Sequence, residues 1–210
     1  MKKLKDLDIV AHRGGEGPHI ENTLESFLYG LKLGFKAIEM DLRYDYLRRR
    51  FFLEHDFLHH PRYKRNLFEN VIKKISKNIF LVLEIKTNSF FTFIFAKKYK
   101  EMHERLLSKR KHLTISFNPF ILLELKMIAP EIKLGFMCGN RFFKFLFQNL
   151  LYHFLKPEVY IVNKRFLNKR TVRFAKKRGM KIYSYVMNRN EERHKALDLN
   201  IDGIITDYPL

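Results

Sequence analysis

Along the chain, short apolar runs rich in β-branched and aromatic residues alternate with segments whose apolar residues recur at helical spacing. The runs predict eight strands: Asp8–His12, Ala37–Leu42, Phe80–Ile85, Leu113–Phe117, Lys133–Cys138, Val159–Asn163, Lys181–Met187 and Gly203–Thr206. A further short run, Phe51–Leu53, predicts a hairpin within the loop after the second strand. Between the strands, Leu24, Phe27, Leu28 and Leu31 fall at i, i+3, i+4 and i+7. Asn22 is the expected N-cap of that helix, with Glu25 three residues on, and Gly34 its expected stop. Phe68, Val71, Ile72 and Ile75 repeat the spacing. Pro119 opens a helix with Leu122, Leu125 and Ile128 on its inner face, and Pro130 closes it. Asn168 begins a basic helix that Gly179 ends, and Asn190 begins a last one ending near Asn200.

Strand then helix, repeated eight times, predicts parallel pairing through right-handed crossovers. Eight units in 210 residues leave about 26 each, close to the minimum for such a unit. The expected fold is therefore α/β, a compact (β/α)8 TIM barrel forming a single domain over residues 1–210. A doubly wound open sheet is the alternative. No Gly-rich phosphate loop follows a strand, and polar residues end several different strands. Both features favour the barrel, whose active sites form at strand C-termini. No linker or internal repeat interrupts the pattern.

Composition narrows the class. Hydrophobic residues make up 46% and charged residues 30% of the chain, a globular balance. A single cysteine, Cys138, excludes a disulfide framework and a Cys-based zinc site. The apolar stretches Ile79–Phe95 and Phe142–Phe154 are broken by charged and polar residues, so neither predicts a membrane span. The N-terminus lacks an apolar signal segment, so a cytoplasmic location is expected. Lys and Arg total 41 against 22 Asp and Glu, a net charge of +19. Such an excess suits an anionic partner, although a Lys- and Phe-rich composition alone can also produce it.

The strand ends carry coherent chemistry. His12 and Arg13 end the first strand. Glu39 and Asp41 end the second, on one face because they are two residues apart. Glu84 and Lys86 end the third with the same spacing, and His55 and Asp56 follow the hairpin run. Three carboxylates without cysteine suit a hard divalent cation, Mg2+ or Ca2+. Arg13 and Lys86 suit phosphate oxygens. His12 and His55 can move protons near neutral pH. Together these are parts for cleaving a phosphodiester. Each part alone is commonplace at a protein surface; their joint placement at successive strand ends is what counts.

Eight segments in order carry a resemblance: Ala-His-Arg-Gly (11–14), Glu-Asn-Thr-Leu-Glu-Ser-Phe (21–27), Ile-Glu-Met-Asp-Leu (38–42), His-Asp (55–56), Leu-Glu-Ile-Lys (83–86), Ser-Phe-Asn-Pro (116–119), Tyr-Val-Met-Asn (185–188) and Asp-Gly-Ile-Ile-Thr-Asp-Tyr-Pro (202–209). The chain resembles the glycerophosphodiester phosphodiesterase family. The resemblance implies metal-dependent hydrolysis of a glycerophosphodiester, a small-molecule substrate, to glycerol 3-phosphate and an alcohol. It implies His12 and His55 as the acid/base pair and Glu39, Asp41 and Glu84 as metal ligands. It places Arg13 and Lys86 near the phosphate, and Tyr185, where the family usually has Trp, with Asn188 along the alcohol pocket. Glu21 matches a family glutamate near the metal and Arg13, and Asp56 stands beside His55. The family's Pro before Glu-Asn-Thr is missing, and Asp56 reaches Glu84 in 28 residues. The inserted subdomain of some members is therefore expected to shrink to one helix.

Two basic and aromatic stretches admit second readings. Arg141–Lys156 is expected either to pack as a barrel helix or to rest on an anionic membrane, with Phe90–Phe95, Lys97, Lys98 and Lys100 on the same surface. Membrane attachment would make lipids or lysolipids the substrate, through water or a substrate hydroxyl as nucleophile. The basic residues of Lys164–Lys181 are expected to be a solvated face; nucleic acid is disfavoured because no recognised motif accompanies them. A non-catalytic binding barrel would need neither imidazole.

Overall fold

The computed structural model describes residues 3, 6–56, 66–87 and 92–209. Among these residues, ten strands form one sheet: β1 (Asp8–Ala11), β2 (Ala37–Asp45), β3 (Arg50–Leu53), β4 (Asn66–Leu67), β5 (Phe80–Ile85), β6 (His112–Ser116), β7 (Leu134–Cys138), β8 (Val159–Asn163), β9 (Lys181–Tyr185) and β10 (Gly203–Thr206). Eight of them pair in parallel in the order β1-β10-β9-β8-β7-β6-β5-β2, and β1 also pairs with β2. The sheet thus closes into the expected barrel. β3 pairs antiparallel with β2 as the expected hairpin, and β4 extends it. Among its described residues, the segment between Asp56 and β5 holds the one expected helix, α2 (Phe68–Lys74), and the short strand β4 before it, which was not expected.

The remaining helices are α1 (Leu24–Lys32), α3 (Phe93–Leu106), α4 (Pro119–Ile128), α5 (Arg141–Leu146), α6 (Tyr152–Leu155), α7 (Lys169–Lys176) and α8 (Asn190–Asp198). The N-cap of α1 is Thr23 rather than Asn22: Thr23 and Ser26 exchange side-chain-to-backbone hydrogen bonds at 3.2 Å. Gly34 does end α1, at φ +100°. Leu28, counted in the apolar stripe, is exposed, whereas Phe27 is fully buried. Asn168 caps α7 by accepting from Thr171 N–H at 3.0 Å.

Alternation along the strands builds two apolar layers. Val10, Ala37, Val82, Ile115, Ile161 and Ile205 belong to a cluster that fills the barrel. A second cluster, including Phe27, Met40, Leu83, Phe136, Val162 and Ile204, lies on the opposite strand face and among the helices. The inward parity decides the site. Continuing it toward the strand C-termini leads from Val10 to His12, from Ala37 to Glu39 and Asp41, from Val82 to Glu84 and Lys86, and from Ile205 to Asp207.

Candidate active site

The site begins with a parallel pairing. Asp41 of β2 lies opposite Glu84 of β5, with Glu39 two residues below on the same face. One carboxylate oxygen from each of Glu39, Asp41 and Glu84 lies within 4.8 Å of the others, and all three residues are buried. Among the described residues, Glu39 Oε1 accepts no hydrogen bond, and Asp41 Oδ1 and Glu84 Oε1 face only the Lys86 ammonium. Converging buried oxygens of this kind fit a hard divalent cation.

Basic side chains surround the triad. Lys86 Nζ lies 2.5 Å from Glu84 Oε1 and 3.1 Å from Asp41 Oδ1. Arg13 Nε lies 3.1 Å from Asp41 Oδ2, while its Nη1 donates to both oxygens of Glu21, at 2.8 and 3.0 Å. Glu21, half-exposed, thus braces Arg13 and is not one of the three converging carboxylates. The Arg13 N–H donates to Glu39 Oε2 at 3.0 Å. That bond depends on a left-handed turn at Arg13 (φ +51°). The turn packs against α1 so closely that a Cβ on Gly30 would lie 2.2 Å from the Gly14 carbonyl oxygen.

Asn22 is also left-handed (φ +59°) and buried. Its amide donates to Asp41 Oδ2 at 2.8 Å and accepts from Asp41 N–H at 3.0 Å, clamping this residue from both sides. Asparagine tolerates this backbone region better than most residues, so the residue expected to cap α1 serves instead as a brace for the site.

Charge crowding shows in the acidities. Burial first, then Asp41 and Glu84, pushes the Glu39 carboxyl well above the usual range. Burial and Asp41 push Glu84 up to about 7, against Lys86. Burial also acts to raise Asp41, but Lys86, Arg13, the Asn22 hydrogen bond and His55 together hold it below the usual range. Burial would lower Lys86, yet Glu84 and Asp41 raise it above its ordinary value. An acidic cluster only partly offset by Lys86 and Arg13 favours a cation that can hold all three carboxylates ionised.

The imidazoles approach from two loops. His12 Nδ1 lies 2.7 Å from Asp207 Oδ1. Asn188 holds Asp207 in turn: its Nδ2 donates to Asp207 Oδ2 at 2.6 Å, and its Oδ1 accepts from Asp207 N–H at 2.9 Å. With Nδ1 committed to Asp207, Nε2 is the second ring nitrogen of His12. His55 Nδ1 pairs with exposed Asp56 Oδ1 at 2.8 Å. Arg43 Nη2 donates to the His55 carbonyl at 2.5 Å, tying this loop to β2. Opposite the triad, Tyr185 donates to the Cys138 carbonyl at 3.3 Å and packs edge-on against Phe117 with centroids 5.8 Å apart. Lys86 Nζ lies 5.8 Å from the Phe117 ring centre.

Sequence reasoning did not single out Asp207 or the brace made by Asn22. Inward parity with Gly203 and Ile205 was the available signal for Asp207. Two clefts, of about 630 and 760 Å3, lie elsewhere, one lined by Tyr44, Arg49 and α3 residues, the other by Ile9, Phe35 and Tyr183. The chemistry, and not the depth of these clefts, locates the site.

Residues 12–44 and 56–210 match the glycerophosphoryl diester phosphodiesterase family model. The chain belongs to this family. His55 lies just outside the matched segments. A glycerophosphodiester phosphodiesterase of Caldanaerobacter subterraneus is 24% identical, over 96% of this chain and 94% of its own length. The human lysophospholipase D GDPD1 is 22% identical, over 95% of this chain and 83% of its own length. Among solved structures, an Oleispira antarctica phosphodiesterase in complex with the product sn-glycerol-3-phosphate superposes with a TM-score of 0.81 at 20% identity, covering 96% of this chain and 93% of that one. A Parabacteroides distasonis glycerophosphodiester phosphodiesterase gives 0.82 at 18% identity, covering 96% and 93%. These structural likenesses support the shared barrel fold.

Proposed function

We propose that this family member hydrolyses glycerophosphodiesters to sn-glycerol 3-phosphate and an alcohol, using a divalent cation held by Glu39, Asp41 and Glu84. The observation that carries the reading is the convergence of one oxygen from each of three buried carboxylates within 4.8 Å of one another. When bound, the cation supplies Lewis-acid neutralisation of the phosphodiester oxygens. Arg13 and Lys86 add fixed positive charge beside the same carboxylates, where the scissile phosphate would sit.

In this reading the two imidazoles divide the proton work. One takes a proton from the attacking oxygen, either water or a substrate hydroxyl whose cyclic phosphate water then opens, and the other donates one to the leaving alkoxide. Asp207 fixes the His12 tautomer and Asp56 does the same for His55. Asn188 acts by holding Asp207, and Tyr185 with Phe117 walls the side where the alcohol leaves.

The test is glycerol 3-phosphate release from glycerophosphocholine and glycerophosphoethanolamine, with and without chelator. Release that stops on chelation and returns on adding Mg2+ or Ca2+ is expected. Full release in the presence of chelator, or none with either ion, would overturn the reading.

A further inference from the structure

We infer that one sector of the barrel's C-terminal rim, spanning the units β5–α3, β6–α4 and β7–α5, is a docking surface for an anionic phospholipid membrane. β5, β6 and β7 are neighbours in the sheet, and each helix starts at the rim because the chain leaves a barrel strand at its C-terminal end. Exposed apolar side chains stand at or just before these helix starts. Phe93 and Ile94 open α3 and are 49% and 60% exposed; Phe120, in α4, is 45% exposed. Phe142 and Phe145 of α5 are 68% and 69% exposed. Large exposed apolar side chains recurring on three neighbouring units of one rim fit an interaction site better than singly scattered ones do.

Its electrostatics select the occupant. A helix N-terminus favours acidic residues in its first turn. α1, α2 and α8 follow that rule, with Glu25, Glu69, and Glu191 with Glu192. α3, α4 and α5, the three helices of the sector, have no acidic residue in the first turn. Arg141 begins α5 against the helix dipole. Lys97 Nζ lies 4.4 Å from the Phe93 ring centre. A cation placed where stability prefers an anion, and another over an exposed aromatic ring, with no acidic residue at these helix starts, suit a surface that is both negative and apolar, as an anionic bilayer is. Nucleic acid would reward the cations but leave Ile94 and Phe120 without a partner.

The apolar sector reaches the proposed site through Phe117, which touches Tyr185 and lies beside Lys86. A glycerophosphodiester anchored in the bilayer would therefore meet the carboxylates from the docked face. This last consequence rests on the proposed function; the docking itself does not.

The experiment is flotation of the protein with vesicles of phosphatidylcholine alone or with phosphatidylglycerol added, across a salt series. Binding is expected only to the anionic vesicles, weakening as salt rises. A variant carrying Phe142→Ser and Phe145→Ser should lose about tenfold or more in partitioning at low salt. A control with Leu150→Ser and Phe154→Ser, farther along the same helical segment, should bind as the parent does. Hydrolysis of water-soluble glycerophosphocholine, measured separately, should be the same in all three proteins. Absence of binding to anionic vesicles, or equal loss in both variants, would overturn the surface. Unchanged binding by the Phe142/Phe145 variant, with equal affinity for a nucleic acid duplex, would replace it by a purely electrostatic one. Failure of the soluble hydrolysis assay alone would count against the proposed function and leave the docking surface standing.

Discussion

The two sides of the barrel's C-terminal rim are built on opposite terms. The side formed by β1, β2 and β5 is charged, and its side chains are held by several partners each: Arg13 by Glu21 and Asp41, Asp41 by Asn22 and Lys86, His12 by Asp207. It also stores backbone strain, since Arg13 and Asn22 both adopt positive φ, at a cost of order 1–3 kcal/mol each. The side formed by β6 and β7 presents Phe117, Gly139 and the exposed aromatic residues of α4 and α5. Under the proposed function the difference separates two tasks. Groups that would meet a reacting phosphate within tenths of an ångström are over-determined by their neighbours. Groups that would meet an alcohol or a surface need only shape and apolar area.

If the charged side alone performs the chemistry, its first break should be the most severe. His12→Ala removes the imidazole that Asp207 orients. Turnover of glycerophosphocholine should fall by roughly 10²–10⁴, with little change in the urea midpoint because His12 is partly exposed. Near-parental turnover would show that the imidazole is not the proton carrier and would dissolve the division between the two sides.

The brace on the carboxylates gives the next effect. Asn22→Ala deletes both hydrogen bonds to Asp41. Groups that orient a metal ligand typically change metal affinity by about 10–100-fold. Calorimetric titration of chelator-treated protein with Mg2+ or Ca2+ should show a loss in that range while substrate binding at saturating ion is kept. An unchanged affinity would mean that the strand pairing of Asp41 with Glu84 suffices to aim the carboxylates.

How much of this could be read from the chain follows from the same physics. The eight barrel strands were legible because buried parallel strands are near-continuous apolar runs, and Ala37–Leu42 and Phe80–Ile85 are such runs. Glu39, Asp41 and Glu84 were legible as charges interrupting those runs on the inward parity. β4 was not, since Asn66–Leu67 is too short to show a period. Asn22 was misread because Asn and Thr are both good caps, and only the fold shows that Thr23 takes the cap while Asn22 turns to Asp41. Arg141–Lys156 yielded two readings; the packed one holds for Phe147 and Leu155, which are buried, while Phe142 and Phe145 are exposed and carry the membrane reading only as a proposal. It is also not one regular helix, because a π-type turn over Phe147–Leu151 separates α5 from α6. Phe90 and Phe91, expected on the same surface, lie outside the described residues.

The smallest effect concerns Asp207, the residue that joins His12 to the far wall through Asn188. Burial acts to raise its acidity constant, but the His12 and Asn188 hydrogen bonds, with the charges of His12 and Arg13, hold it below the usual range. A carboxylate depressed by folding stabilises the folded state fully above its unfolded value, about 3.9, and ceases to do so as pH falls through the folded value. Asp207→Asn should therefore cost about 1 kcal/mol at pH 7, a modest figure because the side chain is 23% exposed. Urea midpoints of the parent and the variant, both freed of metal, should differ at pH 7 and pH 5 and converge as the pH falls below the unfolded value through the depressed folded one. A gap that does not shrink down to the lowest pH at which both proteins fold would mean that Asp207 contributes through shape and neutral hydrogen bonding. The ionic partnership with His12 would then be a geometric convenience, and the tight holding of the charged side would stop at the carboxylate triad.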